Sequence, residues 1–272
     1  MRARTERLPR IRLAIGALTP PLLSLLLSAL AHAQAGPPFL SNDPGTPGNG
    51  NWEINVAVAP AVTRAAAADQ IPQLDVNFGL GERVQLTYEV PFVIQNRDGV
   101  PQTSGWGNSM AGMKWRFFDQ GEDGWQLSTF PQIETGGSAR AVDKGLAVAG
   151  PRYFLPIEIG RKLGAFEADF EGGEFVPVRG LHETTLGLTV GHPLNSRLEL
   201  AAELFNDRVS GPTPAKTTLD VGGRYRLRRG CIALFMAGHS IDGIATGQPE
   251  FFGYFGVQIL LSDYGRRLNP NP

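Results

Sequence analysis

Ionisable side chains in this chain fall at alternate positions of short segments, with apolar residues between them. Glu53 sits between Trp52 and Ile54, Asp75 between Leu74 and Val76, and Glu89 between Tyr88 and Val90. Lys114 and Arg116 flank Trp115, and Glu134 follows Ile133. Glu167, Asp169 and Glu171 interleave with Phe166, Ala168 and Phe170. Glu199 and Glu203 alternate with Leu198, Leu200, Ala202 and Leu204, and Asp220, Arg224 and Arg226 with Leu219, Val221, Tyr225 and Leu227. Charges converging on one wet space would set the sign of the solutes that enter it and create a transverse field. In a narrow space they would instead pair with one another and fill it. Acidic residues dominate this set, so cations or neutral solutes are expected to be favoured over anions.

Covalent chemistry has weaker support. Gly107-Asn108-Ser109-Met110-Ala111 resembles a nucleophile elbow only in part, because the second glycine is missing and the setting is a strand. A serine hydrolase also needs a positioned histidine. His182, His192 and His239 lie at strand ends or turns, away from any serine-rich motif, and three scattered histidines do not make a metal set. Asn42, Asp43 and Gly45 read as a turn before they read as a calcium site. Cys231 is the only cysteine, which excludes an internal disulfide and a cysteine-based metal cluster. No catalytic residue, cofactor or metal is expected.

A period of two is the signature of β-strands with two unlike faces. It recurs along the whole chain after the first 51 residues, in about twelve segments. Apolar residues do not recur at helical spacing. The weakest segment spans 146–157, where Gly150-Pro151 interrupts the pattern. Ile232, Leu234 and Met236 read as the apolar face of the next-to-last strand, and Phe255, Val257, Ile259 and Leu261 as that of the last. Turn signals at 79–82, 119–124, 161–164, 192–196 and 228–230 alternate with longer polar stretches at 64–70, 96–104, 137–144, 206–215 and 240–250, and with a short loop near 178–181. Phe78, Phe117, Trp125, Phe166 and Tyr225 share the apolar parity and lie near the short turns, as a ring at one membrane interface would. Phe92 and Phe251 suit the opposite ring.

The start of the chain reads as an export leader. Arg2, Arg4, Arg7, Arg10 and Arg12 precede an apolar run at 13–30, and small-x-small cleavage sites follow. The leader carries five Arg against one Glu, so a net charge of −1 becomes −5 on its removal. That mild acidity argues against nucleic acid as a partner, which would favour a basic patch. Burying so many charges in a dry core would cost several kcal/mol per unpaired ion, whereas a wet lumen avoids the cost. The apolar face must then meet lipid, and closing the sheet satisfies the edge hydrogen bonds that hydrocarbon would leave unmade. The expected fold is therefore all-β, a transmembrane up-and-down antiparallel β-barrel of about twelve strands after an N-terminal signal peptide. The expected division is 1–33 signal peptide, 34–51 an irregular segment in the periplasm or folded into the barrel mouth, 52–263 barrel and 264–272 tail. The alternative is a periplasmic β-sandwich or soluble barrel.

Three blocks carry a family resemblance. Ser41-Asn42-Asp43-Pro44-Gly45-Thr46-Pro47-Gly48, followed by Trp52-Glu53-Ile54-Asn55, resembles the opening of the outer-membrane "MetA-pathway of phenol degradation" transporter family. Ile71-Pro72-Gln73-Leu74-Asp75-Val76-Asn77-Phe78-Gly79-Leu80-Gly81, with Val84-Gln85-Leu86 and Glu89-Val90-Pro91, resembles its second block. Gly105-Trp106-Gly107-Asn108-Ser109-Met110-Ala111-Gly112-Met113-Lys114-Trp115-Arg116-Phe117 resembles its third. The resemblance implies an outer-membrane barrel of a Gram-negative bacterium that passes small, often aromatic, compounds. Members are mostly assigned by similarity, so the substrate does not carry over. The expected function is passive conduction of small molecules, with outer-membrane lipid and a small solute as partners and no signal for a particular oligomeric state. A structural or adhesive barrel with a sealed lumen is the alternative. One departure is that the chain runs past Leu261 to Pro272 rather than ending on an aromatic residue, with Tyr264 as a substitute end signal.

Overall fold

The computed structural model describes residues 36–63, 66–121, 123–212, 214–242 and 251–262. The expected leader, and the tail with Tyr264, lie outside the described residues. In chain order the elements are β1 (Trp52–Val62), β2 (Ala66–Leu80), β3 (Val84–Arg97), β4 (Val100–Trp106), β5 (Met110–Asp119), β6 (Trp125–Thr129), β7 (Gln132–Glu134), α1 (Ala139–Asp143), β8 (Arg152–Leu163), β9 (Phe166–Pro177), β10 (Glu183–Pro193), β11 (Leu198–Val209), β12 (Lys216–Arg228), β13 (Cys231–Ser240) and β14 (Phe251–Leu261).

Every neighbouring pair is antiparallel, and β1 pairs with β14, so the sheet closes on itself. β4 and β5 both pair with β3, and β6 and β7 both pair with β5 and β8. Each of these two pairs is one barrel strand with an interrupted ladder, which makes twelve strands in all. The interruptions have local causes. Pro131 brings no N–H to the ladder, and a Cβ at Gly112 would fall 2.7 Å from the Phe130 ring. In β2 the register slips between Gln70 and Gln73, placing Ile71 and Pro72 in a bulge, one of the few sheet positions open to proline.

The apolar parity faces outward. Leu188, Leu204, Val221 and Phe255 are exposed in mid-strand, the pattern of side chains that meet lipid. Trp52, Phe117, Trp125, Phe166 and Tyr225 are exposed near the five short turns, with the Trp52 and Phe78 rings 4.7 Å apart. Toward the other end the Trp106 and Phe92 rings meet at 5.3 Å.

Four sequence expectations require correction. The stretches at 64–70 and 96–104 are mostly strand: β2 starts at Ala66, and β3 and β4 are joined through Asp98 and Gly99 alone. The stretch at 137–144 holds α1, capped by Ser138, whose side chain accepts from Ala141 N at 3.2 Å. The weak strand begins at Arg152 and runs to Leu163, so its alternation lies after Gly150-Pro151 rather than across it. Leu234 and Met236 face inward, at 2% and 3% exposure, while Ala237 and His239 face out. The reason for this last inversion lies inside the barrel.

The barrel lumen as candidate functional site

Residues 36–51 enter the barrel beside the β2–β3 turn. Gly50 N donates to Gly79 O and Gly79 N to Asn51 O, each at 2.9 Å. Thr46 Oγ1 donates to Glu82 O, and Gly81 N to Asn49 Oδ1. Read backwards from Pro44, the segment then sweeps around the inner wall. Pro44 lies against Gly160 of β8. Lys114 Nζ of β5 donates to the Asp43 carbonyl. Asn42 N and Nδ2 donate to Glu171 of β9, at 3.3 and 3.1 Å. Leu40 N and Ser41 N each donate to Glu203 of β11 at 2.8 Å, and Ser41 Oγ donates to the same carboxylate. Arg224 of β12 donates to the Pro37 carbonyl at 2.9 Å.

The wall is shaped for this passage. A Cβ at Gly79 would collide with the Gly48 carbonyl, and one at Gly187 would fall 2.5 Å from Ser41 Cβ. A Cβ at Gly160 would sit 3.0 Å from Pro44. Glycine stands where the segment passes closest. Phe39 docks on Ala57, Ala201, Leu234, Met236, Phe252 and Tyr254, all buried. That contact explains why β13 turns Leu234 and Met236 inward. Burying a phenylalanine side chain contributes about 1.5–3 kcal/mol, and this patch gives Phe39 its dry partner.

All fourteen candidate residues carry their side chains on the inner parity. The segment gathers only some of them. Glu171, Glu203, Lys114 and Arg224 touch it directly. Asp220 is opposite Glu203 in the strand register and 1% exposed. Asp169 is buried beside Gly160. Glu134 pairs with Arg152 at 2.7 Å, toward the loop end. Arg116 pairs with Asp119 at 3.2 Å, and Arg226 donates to Ser196 O; both sit near the short turns. Glu167 opposes Lys162 and Glu199 opposes Arg224 in the register. Glu53, Asp75 and Glu89 form a separate acidic stretch across β1, β2 and β3.

The sequence reasoning missed Glu158, which is fully buried and 3.4 Å from Lys114 Nζ. It also missed Glu183, which pairs with Arg152 at 3.1 Å, and Lys216, 3.4 Å from Asp207. The signal for Glu158 was present, since Tyr153, Leu155, Ile157 and Ile159 alternate around it. Ser109 Oγ meets Thr135 Oγ1 at 2.8 Å, while His182 meets Glu174 and His192 the Ala165 carbonyl. Asp43 Oδ1 accepts from Gly45 N in a local turn. Among the described residues no group of three His, Cys, Asp or Glu could hold a metal ion.

Between the segment and the loop end lies a cavity of about 500 Å³. It reaches Glu183 and Lys216, the first residues of β10 and β12, and Phe130, Phe175, Phe205 and Phe252 are among its lining. At that end the loop after β7 leans on β4. Leu146 is 6% exposed against Gly105, and Lys144 Nζ approaches Ser104 O at 3.4 Å.

A closed twelve-stranded barrel with a lipid-facing exterior and a charged interior has the fold of outer-membrane channels and porins. No family model and no curated protein matches the chain. Solved structures do. The chain is similar to the COG4313 outer membrane channel from Pseudomonas putida F1, at 15% identity and a TM-score of 0.61, over 81% of this chain and 100% of that one. It is similar to the NanC porin at 9% identity and a TM-score of 0.55, over 76% and 98%. It is similar to the KdgM porin at 11% identity and a TM-score of 0.53, over 75% and 98%.

Proposed function

We propose that this protein is an outer-membrane channel that passively conducts small molecules, and that it is not an enzyme. The observation that carries this reading is the cavity inside a closed barrel, lined by charged and apolar side chains together, which extends from the inner segment to the first residues of β10 and β12. The fold shared with a channel and two porins supports it. A soluble β-protein would have no use for an exterior of exposed Leu, Val and Phe. The resemblance to the phenol-degradation transporter family adds small aromatic or hydrophobic compounds as the solute class. The KdgM porin has been captured with disordered oligogalacturonate, which supports an organic molecule as the solute. The fourteen inward charges are the proposed selectivity elements, and their acidic excess favours cations or neutral solutes.

The packed segment supports a second reading, a sealed barrel of structural or adhesive role. Liposome swelling separates the two. Entry of small solutes into liposomes carrying the full chain is the expected result. Absence of swelling in the full chain, with swelling restored by deletion of 36–50, would favour a sealed resting barrel. Absence in both would remove the channel reading.

A further inference from the structure

We propose that the cavity holds a binding site for a small organic cation, an ammonium or guanidinium group on a compact apolar body. This deepens the channel reading by naming a class of solute, and it rests on the lumen being the solute space. Asn55, Asp75 and Glu89 stand side by side in the strand register of β1, β2 and β3, with Glu53 two residues before Asn55. Glu53, Asp75 and Glu89 all line the cavity. The donors that reach them are amides: Asn55 Nδ2 to Glu53 and Asp75, Asn77 Nδ2 to Asp75, and Gln73 Nε2 to Glu89 at 2.7 Å. Arg224 acts on Glu53, and Lys114 on Asp75, through space.

The cations that line the cavity are engaged elsewhere. Lys114 is held by Glu158 and the Asp43 carbonyl, Arg224 donates to the Pro37 carbonyl, and Lys216 pairs with Asp207. Among the described residues, one wall of the cavity therefore presents carboxylate with no ion-pair partner. A second observation points the same way. Thr185, 3% exposed, lines the cavity from β10, and its Oγ1 has no hydrogen-bond partner. Gln73 Oε1, beside Glu89, also lacks one. Buried polar atoms left unpaired are exceptions that call for a partner. Carboxylates and amide oxygens can only accept, so a ligand that brings several N–H donors and positive charge matches this wall. Met110, opposite Glu89 in the register, and Tyr254, next to Ala57, supply apolar and π surface beside this wall. The cavity volume lies within the range of small-molecule sites.

The test uses the full chain in detergent and three probes of one shape: phenethylammonium, 2-phenylethanol and phenylacetate, titrated by calorimetry. Phenethylammonium is expected to bind about tenfold or more tightly than the other two, as loss of one charged hydrogen bond implies. Asp75→Asn with Glu89→Gln is expected to bring it to the level of the alcohol, in protein whose heat-modifiable gel shift shows a folded barrel. Equal binding of the three probes, no binding of phenethylammonium, or undiminished binding to the folded double variant would overturn the proposal. The probe series on the unaltered chain decides the matter if the variant does not fold. Solute conduction without preference for the ammonium probe would remove this site and leave the channel. Ammonium binding without conduction would leave this site and remove the channel.

Discussion

The two sides of the lumen use the same residue types for opposite ends. On the side of β8 to β12, charged groups hold the chain to itself. Glu203 and Glu171 accept from the backbone of the segment, and Arg224, with Lys114 of β5, donates to its carbonyls. On the side of β1 to β3, Glu53, Asp75 and Glu89 receive only amide donors and face the cavity. The first side is packed against the segment, with glycines cut to its path. The second is rich in acceptors and unfilled. Barrel parity alone does not separate them, because both lie on the inner face. What separates them is the partner each one meets.

The largest test of the packed side is Lys114→Met. Lys114 and Glu158 are 4% and 0% exposed in their side chains, and they sit 3.4 Å apart. Removing one partner leaves a buried uncompensated charge, so the expected loss is about 3–5 kcal/mol. Urea unfolding from lipid bilayers measures it. Adding Glu158→Leu is expected to recover much of the loss, which a purely steric role for Lys114 would not allow.

Next is Glu203→Leu. It strands the N–H groups of Leu40 and Ser41, each of which now donates to Glu203. An unmade buried bond costs about 1–3 kcal/mol. Release of the segment relieves part of this cost, so the expected outcome is a modest stability loss with a several-fold rise in single-channel conductance. Unchanged conductance would mean that the segment does not restrict the path. Gly187→Leu attacks the same contact by volume, since its Cβ meets Ser41. Overpacking of this kind costs about 1–3 kcal/mol. It is expected to raise conductance like Glu203→Leu, whereas Gly164→Leu, in an open turn of positive φ, is expected to leave conductance unchanged.

This contrast also explains what the sequence could reveal. Wherever lipid is the outer partner, alternation reads out the face directly, as in Leu186, Leu188 and Val190 of β10. Twelve strands and five tight turns followed from that. The same rule fails at β13, because Leu234 and Met236 are apolar for the sake of Phe39 rather than of lipid. Their partner lies almost two hundred residues away in the chain, and periodicity carries no trace of it. The segment itself shows only turn composition, which suits both a periplasmic strand of irregular chain and an insertion into the barrel. The extensions of β2 and β4 were hidden by Pro72 and Pro101, residues that usually mark loops and here lie at register shifts of the ladder. The inward charges were legible one by one. Their division into those that clasp the segment and those that face the cavity was not, because it depends on where residues 37–44 lie.

The smallest expected effect sharpens the comparison most. Glu89→Gln keeps the side-chain shape and an oxygen to accept from Gln73 Nε2, which now donates to Glu89 at 2.7 Å. It breaks no ion pair and keeps its acceptor for Gln73, so the expected change in stability is below about 1 kcal/mol. Removing a carboxylate from a wall already crowded with Asp75 and Glu53 lowers mutual repulsion, so any change should favour the folded barrel. The effect is expected in the current instead. Reversal potentials under a potassium chloride gradient should shift away from the cation side, because one of the three carboxylates of the β1–β3 wall is gone. A stability loss as large as that of Glu203→Leu, with an unaltered reversal potential, would mean that Glu89 holds structure as the opposite wall does. The two sides of the lumen would then be alike.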